Sequence, residues 1–111
     1  MKIAITSPNA KTVSGHAGKC PGYLVFDVED GQIVSQTHIK LGKEQVFRNF
    51  SGSLSATPEH PLNGIQGFIS QSMGDGLIKR LLSDGIQVQV TEQNLPENAL
   101  KEFLTAHQSV S

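Results

Sequence analysis

The chain has 111 residues, 37% hydrophobic and 17% charged, with a formal net charge of −1; one domain spanning 1–111 can bury a sufficient core, and so neutral a balance argues against a nucleic-acid partner. One cysteine, Cys20, excludes an internal disulfide and any zinc or iron–sulfur site built from this chain's cysteines alone. No apolar run approaches the roughly 20 residues that span a bilayer, and polar residues begin at Thr6, so the expectation is a cytoplasmic protein without membrane contact.

Lys2–Thr6 reads as a first strand that ends at Ser7-Pro8-Asn9. A loop continues to about Gly22. Tyr23–Val28 is aromatic and β-branched, and Glu29-Asp30-Gly31 supplies the turn into a return strand over Ile33–Leu41. Period-two geometry places Val34, Gln36 and His38 on one face and Ile33, Ser35, Thr37 and Ile39 on the other. From Gly42 to Asn63 the pattern is weakest. Phe47 and Phe50 stand at helical spacing, serines, glycines and prolines interrupt, and a brief helical turn is expected near His60-Pro61-Leu62.

The pattern then changes to βαβα. Ile65–Ser70 is a short buried-type strand, followed by the tight loop Ser72-Met73-Gly74-Asp75-Gly76. Leu77, Ile78, Leu81 and Leu82 form the stripe of a short helix, and Gly85 stands where a C-cap glycine belongs. Ile86, Val88 and Val90 alternate with Gln87 and Gln89 as one more strand. Pro96 opens a last helix whose Ala99, Leu100, Phe103 and Leu104 face the core. The expected fold is α/β, a hairpin half joined to a βαβ half with a right-handed crossover. Ligands in such a sheet bind at the carboxyl ends of the strands, where the 7–21 loop and the 72–76 loop both open.

Three groups of residues bear on chemistry. Gly74-Asp75-Gly76 lets backbone approach a ligand and offers helix N–H groups to an anion; a tight turn capped by Asp75 explains the same residues. It is not a P-loop, since Leu77 and Ile78 follow Gly76. His16, between Gly15, Ala17 and Gly18, is compatible with a metal ligand and with a solvated loop histidine. Cys20 is either a small apolar filler or a thiolate assisted by Lys19. His60 is a second ligand or a helix-start residue, while His38 and His107 lie within elements. No nucleophile elbow or spread of acids supports a hydrolase or nuclease, so no enzymatic activity is expected.

The stretches MKIAITSPNAKTVSGHAGKCPGYLVFDVEDGQI, HPLNGIQGFISQSMGDGLIKRLLSDGIQV and VTEQNLPENALKEFL resemble the dinitrogenase iron–molybdenum cofactor biosynthesis family, of the NifX, NafY-core and NifB C-terminal type. The resemblance implies a ribonuclease H-like motif: a five-stranded mixed sheet, an antiparallel meander followed by a parallel βαβ unit, flanked by helices. It also implies binding or carriage of an iron–molybdenum or related iron–sulfur cluster, in nitrogen fixation or another metallocluster pathway, with a cofactor-assembly or acceptor protein as partner. The family's loop histidine corresponds to His16. With the two loops read above, the cofactor-binding set is His16, Gly15, Gly18, Gly74, Asp75 and Gly76; Cys20 and His60 are further metal candidates by residue type, and the resemblance does not carry Cys20 over as a ligand. Ala17 stands where the family often has an aromatic residue, and SQSMGDG replaces a more glycine-rich loop. A non-catalytic module for a small anion or a partner, without metal, is the alternative on the same fold.

Overall fold

A computed structural model describes residues 1–13, 16, 20–47, 49–50 and 53–107. Five strands form one sheet in the order β3-β2-β1-β4-β5: β1 (Lys2–Thr6), β2 (Gly22–Glu29), β3 (Gln32–Lys40), β4 (Gly67–Ser70) and β5 (Gln87–Val90). β1–β2 and β2–β3 are antiparallel, whereas β1–β4 and β4–β5 are parallel. The expected meander and βαβ unit are therefore both present. Helices α1 (Asp75–Ser83) and α2 (Pro96–His107) complete the element order, and the β4 strand begins two residues later than its apolar run.

Alternation along the strands divides the core in two. Ile3, Ile5, Leu24, Phe26, Val28 and Ile69 meet Ala99, Leu100 and Phe103 of α2, with Val13 beside them. Ala4, Tyr23 and Phe68 point to the opposite face, where Leu81 of α1 packs together with Leu41, Phe47, Leu54, Leu62 and Ile65. The two faces are thus covered differently, one by a helix and the other by a helix plus the 42–65 segment. The described residues of that segment form a succession of turns, the brief turn expected near His60-Pro61-Leu62 among them. Phe50 N–H bonds to the Val46 carbonyl at 2.9 Å and Asn63 N–H to the His60 carbonyl at 2.9 Å, each closing one local turn.

α1 ends as its sequence requires. Gly85 takes a φ of 80°, its N–H bonds to the Leu82 carbonyl at 3.0 Å and Ile86 N–H to the Leu81 carbonyl at 3.0 Å, so the αL glycine satisfies the last turn's carbonyls. The apolar stripe is narrower than expected, because Leu82 is 53% exposed while Leu81 is buried. Val90 is likewise 52% exposed, leaving Ile86 and Val88 to pack from this end of the sheet.

β3 departs from simple alternation. Asp27 pairs with Ser35 but Val28 pairs with Ile33, so Val34 is an extra residue in the ladder. The bulge breaks the period of two, and Ile33 does not share the Ser35–Thr37–Ile39 face.

Candidate functional site

The carboxyl ends of β1, β4 and β5 form one rim. The chain leaving β1 crosses this rim from one face of the sheet to the other. Asn9 Oδ1 accepts the N–H groups of Lys11 and Thr12 at 2.9 and 3.0 Å, and the Ser7 hydroxyl donates to the Thr12 carbonyl at 2.7 Å. Val13 then enters the α2-side core, with its N–H bonded to the Asn94 carbonyl at 2.8 Å. Seven residues later Cys20 enters the core on the other side. Between these two anchors His16 stands at the crest, exposed to solvent.

His16 is held at the crest by backbone. Its carbonyl accepts the Cys20 N–H at 2.9 Å, and it forms a parallel β-bridge with Ser72. Ser72 belongs to the loop between β4 and α1. The fully buried Ser70 hydroxyl fixes that loop, donating to the Ser72 carbonyl at 2.9 Å and accepting the Ser72 N–H at 3.3 Å. The Thr6 hydroxyl, at the end of β1, donates to the same Ser70 oxygen at 3.4 Å. Two loops more than fifty residues apart therefore meet through Ser72, the first residue of the 72–76 loop but not one of the candidate site residues.

Two residues beyond Ser72, Gly74 is the N-cap of α1 in extended conformation, with no side chain capping the helix. Asp75 is the first helical residue, not a cap, and Gly74, Asp75 and Gly76 are all exposed. A Cβ at Gly74 or Gly76 would meet nothing within 4 Å, so the approach to this helix end is open. Uncapped N–H groups at a helix start favour negative charge. The Asp75 carboxylate opposes an incoming anion at the same place.

The remaining metal candidates lie inside the fold. Cys20 is buried, its thiol donates to the Gly22 carbonyl at 3.1 Å, and burial pushes the thiol up, which disfavours the thiolate a metal needs. His60 is buried too. Leu62 N–H donates to its Nδ1 at 3.1 Å, so Nε2 carries the proton and donates to the Gln45 carbonyl at 2.9 Å. The ring also stacks on Phe47 and lies 4.7 Å from Phe50. His38, on β3, reaches the Ser7 carbonyl at 3.0 Å through Nε2. Gly15 and Gly18 lie outside the described residues. Among the described residues no three His, Cys, Asp or Glu side chains come together, and no helix is long and apolar enough to cross a membrane.

Fold and rim together define a small α/β domain whose loop histidine is pinned beside an open, uncapped helix start. Residues 1–106 match the model of the dinitrogenase iron-molybdenum cofactor family, and the chain belongs to that family. Solved structures agree in fold. The Methanocaldococcus jannaschii protein MJ0327, described as a candidate dinitrogenase, superposes with a TM-score of 0.69 at 17% identity, over 96% of this chain and 89% of that one. The protein PH0822 gives 0.70 at 18% identity over 96% and 90%. TM1290 of Thermotoga, described as a candidate NifB protein of the DUF35 family, gives 0.64 at 16% identity over 94% and 87%. No curated protein sequence matches the chain.

Proposed function

We propose that this protein binds a preassembled, anionic iron–molybdenum or related iron–sulfur cluster at the crest and passes it to an assembly or acceptor protein. The observation that carries the reading is the backbone bridge between His16 and Ser72. It holds an exposed imidazole beside the loop that leads into the uncapped start of α1. Imidazole supplies a ligand to one metal of the cargo. The helix N–H groups supply donors for its negative charge.

The donor set fits a cargo better than a resident metal ion. A bare ion needs three or four protein ligands, whereas a finished cluster brings its own sulfur bridges and needs one or two. Few ligands also mean release, which a carrier requires. Asp75 weakens the hold further by placing a carboxylate where the cargo's charge would sit. Binding and transfer require no chemical step of the chain.

The test is anaerobic titration of the apo-protein with isolated iron–molybdenum cofactor, followed by visible absorption. His16→Ala is expected to weaken binding at least about tenfold, the loss of one metal ligand, and Asp75→Asn to tighten it. Cys20→Ala is expected to bind as the parent does. Equal binding by parent and His16→Ala removes the assigned ligand. If phosphate-bearing metabolites bind calorimetrically and the cluster does not, the metal-free anion module replaces this reading.

A further inference from the structure

Among the described residues, the buried side chains with a polar group are Thr6, Ser7, His60, Ser70 and Thr91. His60 serves the 42–65 segment. The other four lie within one residue of where β1, β4 and β5 end, directly beneath the crest. A buried hydroxyl is unfavourable unless a bond answers it, and alanine or valine would fill the same space without that demand. The bonds made by these four therefore bear on why they stand there.

Three of the four tie down the loop that leaves their own strand. Ser7 Oγ donates to the Thr12 carbonyl at 2.7 Å, and Ser70 Oγ to the Ser72 carbonyl at 2.9 Å. Thr91 Oγ1 accepts the Gln93 N–H at 3.1 Å and donates to Glu102 Oε1 at 2.8 Å. Thr6 instead reaches across to β4, donating to Ser70 Oγ at 3.4 Å. Loops fixed in this way lose less freedom when a guest arrives, which is preorganisation.

Ser70 is the centre of this collar. Its oxygen takes the Thr6 hydroxyl from β1 and grips Ser72 twice, at the carbonyl and, at 3.3 Å, at the N–H. Ser72 is the residue bridged to His16. The next residue, Gln71, adds an outer tie. Its Nε2 donates to the Gln93 carbonyl at 3.1 Å and to Asn94 Oδ1 at 3.2 Å, and the Asn94 carbonyl holds Val13 N–H, one anchor of the His16 loop. Asn94 is exposed whereas Ser70 is fully buried, so water competes with the outer tie and Ser70 carries the larger share. We infer that Ser70 is a positioning residue for the crest: its hydroxyl holds the His16–Ser72 bridge in place and so sets how tightly the site grips its cargo. The consequence for cargo rests on the function proposed above; the hold on the bridge does not.

Ser70→Ala should fold, because Thr91 N–H bonds to the Ser70 carbonyl at 2.9 Å and keeps that backbone paired, and exposed Ser72 can turn to water. In the apo-protein, hydrogen exchange of the Cys20 amide, which bonds to the His16 carbonyl, is expected to quicken about threefold or more, the weight of one hydrogen bond. The amides of α2 should exchange as in the parent. Titration with isolated iron–molybdenum cofactor should show binding weakened by about the same factor. Adding Ser70→Ala to His16→Ala should weaken binding no further, because Ser70 acts through that ligand. Gln71→Ala should have the smaller effect on both readings. Thr6→Val keeps the side chain's shape, removes one bond of the collar, and gives the same readings should Ser70→Ala not fold. Unchanged Cys20 exchange in both collar variants overturns the inference. So does a loss of binding as large on His16→Ala as on the parent, the mark of general loosening, or a larger effect from Gln71→Ala. A parent that binds no cluster defeats the proposed function alone, and the exchange rates still uphold or overturn the hold of Ser70 on the bridge.

Discussion

The two faces of the sheet reach similar burial by different means. The α2 face is built from aliphatic residues at regular spacing plus Phe26 and Phe103, with a helix laid over alternating strand positions. The opposite face relies on an aromatic group, Tyr23, Phe47, Phe50 and Phe68 with His60 among them, gathered by an irregular segment. Periodic elements satisfy their own backbone groups, so their side chains need only be apolar. A run of turns leaves carbonyls and N–H groups to be satisfied individually. His60 does this for Gln45 and Leu62 while filling core volume. Inside the α2-side core the contacts are apolar, whereas on the other face a buried side chain, His60, combines packing with hydrogen bonds to backbone.

Phe103→Ala should break the α2 face most severely. The ring is fully buried, and its removal is expected to cost about 3–5 kcal/mol by urea unfolding, through lost transfer energy and a cavity. His60→Ala comes next, at about 2–4 kcal/mol, because a buried N–H and a carbonyl lose their partner along with the ring. His60→Phe separates the two contributions. It restores ring volume against Phe47 and Phe50 but neither hydrogen bond, so a residual loss of about 1–3 kcal/mol is expected. A fully stable His60→Phe would make the two faces equivalent and remove the contrast.

Gly67→Ala sharpens the comparison from the other direction. A Cβ at Gly67 would lie 2.6 Å from Phe103 Cζ and 3.1 Å from Ile3 Cγ1. The ring must shift within a packed face, at about 1–3 kcal/mol. In Phe103→Ala the obstructing ring is gone, so adding Gly67→Ala should cost markedly less than it does alone. A double-mutant cycle reads that coupling directly.

Legibility in the sequence follows the same division. Ile3, Ile5, Phe26 and Phe103 stand at spacings that announce a face, and Gly85 marks the end of α1, so the hairpin, the βαβ unit and both helices were readable. The joining of all five strands in one mixed sheet came from the family resemblance. Val34 was not, because a bulge is set by the twist of the strand pair and leaves no alternation to detect. The role of His60 was hidden for a different reason. Its partner Gln45 is fifteen positions away with no pattern connecting them. At the crest, His16 and the helix start were visible as residue types, but the Ser72 bridge that unites them is backbone, which sequence composition does not encode. Cys20 needed its neighbours: the same residue reads as ligand or filler until Tyr23 and Leu41 are seen around it.

Each face also has one carboxylate that pins a loop, and acid should release them. Asp84, at the end of α1, accepts the hydroxyls of Ser53 and Ser55 and the Ser55 N–H. Burial alone would raise its carboxyl, but these bonds outweigh that and hold it below the usual range. Glu102 of α2 accepts from Thr91 Oγ1, Gln89 Nε2 and Gln93 Nε2. The Thr91 bond leads in holding it below the usual range, followed by those of Gln89 and Gln93. A carboxyl lowered on folding contributes stability above its unfolded pKa, and that contribution is lost as pH falls through the folded value. Asp84→Asn should therefore be less stable than the parent at pH 7, by under about 1 kcal/mol for such solvent-facing bonds, and the gap should close below about pH 4, near the unfolded carboxylate range. Glu102→Gln should show the same closing gap with a smaller amplitude, since that carboxylate is fully solvated. The irregular face should be the more acid-sensitive of the two, because the 53–55 turn that Asp84 holds carries Leu54 into its core. Equal acid sensitivity in Asp84→Asn and the parent would show that the turn is kept in place by Leu54 packing alone.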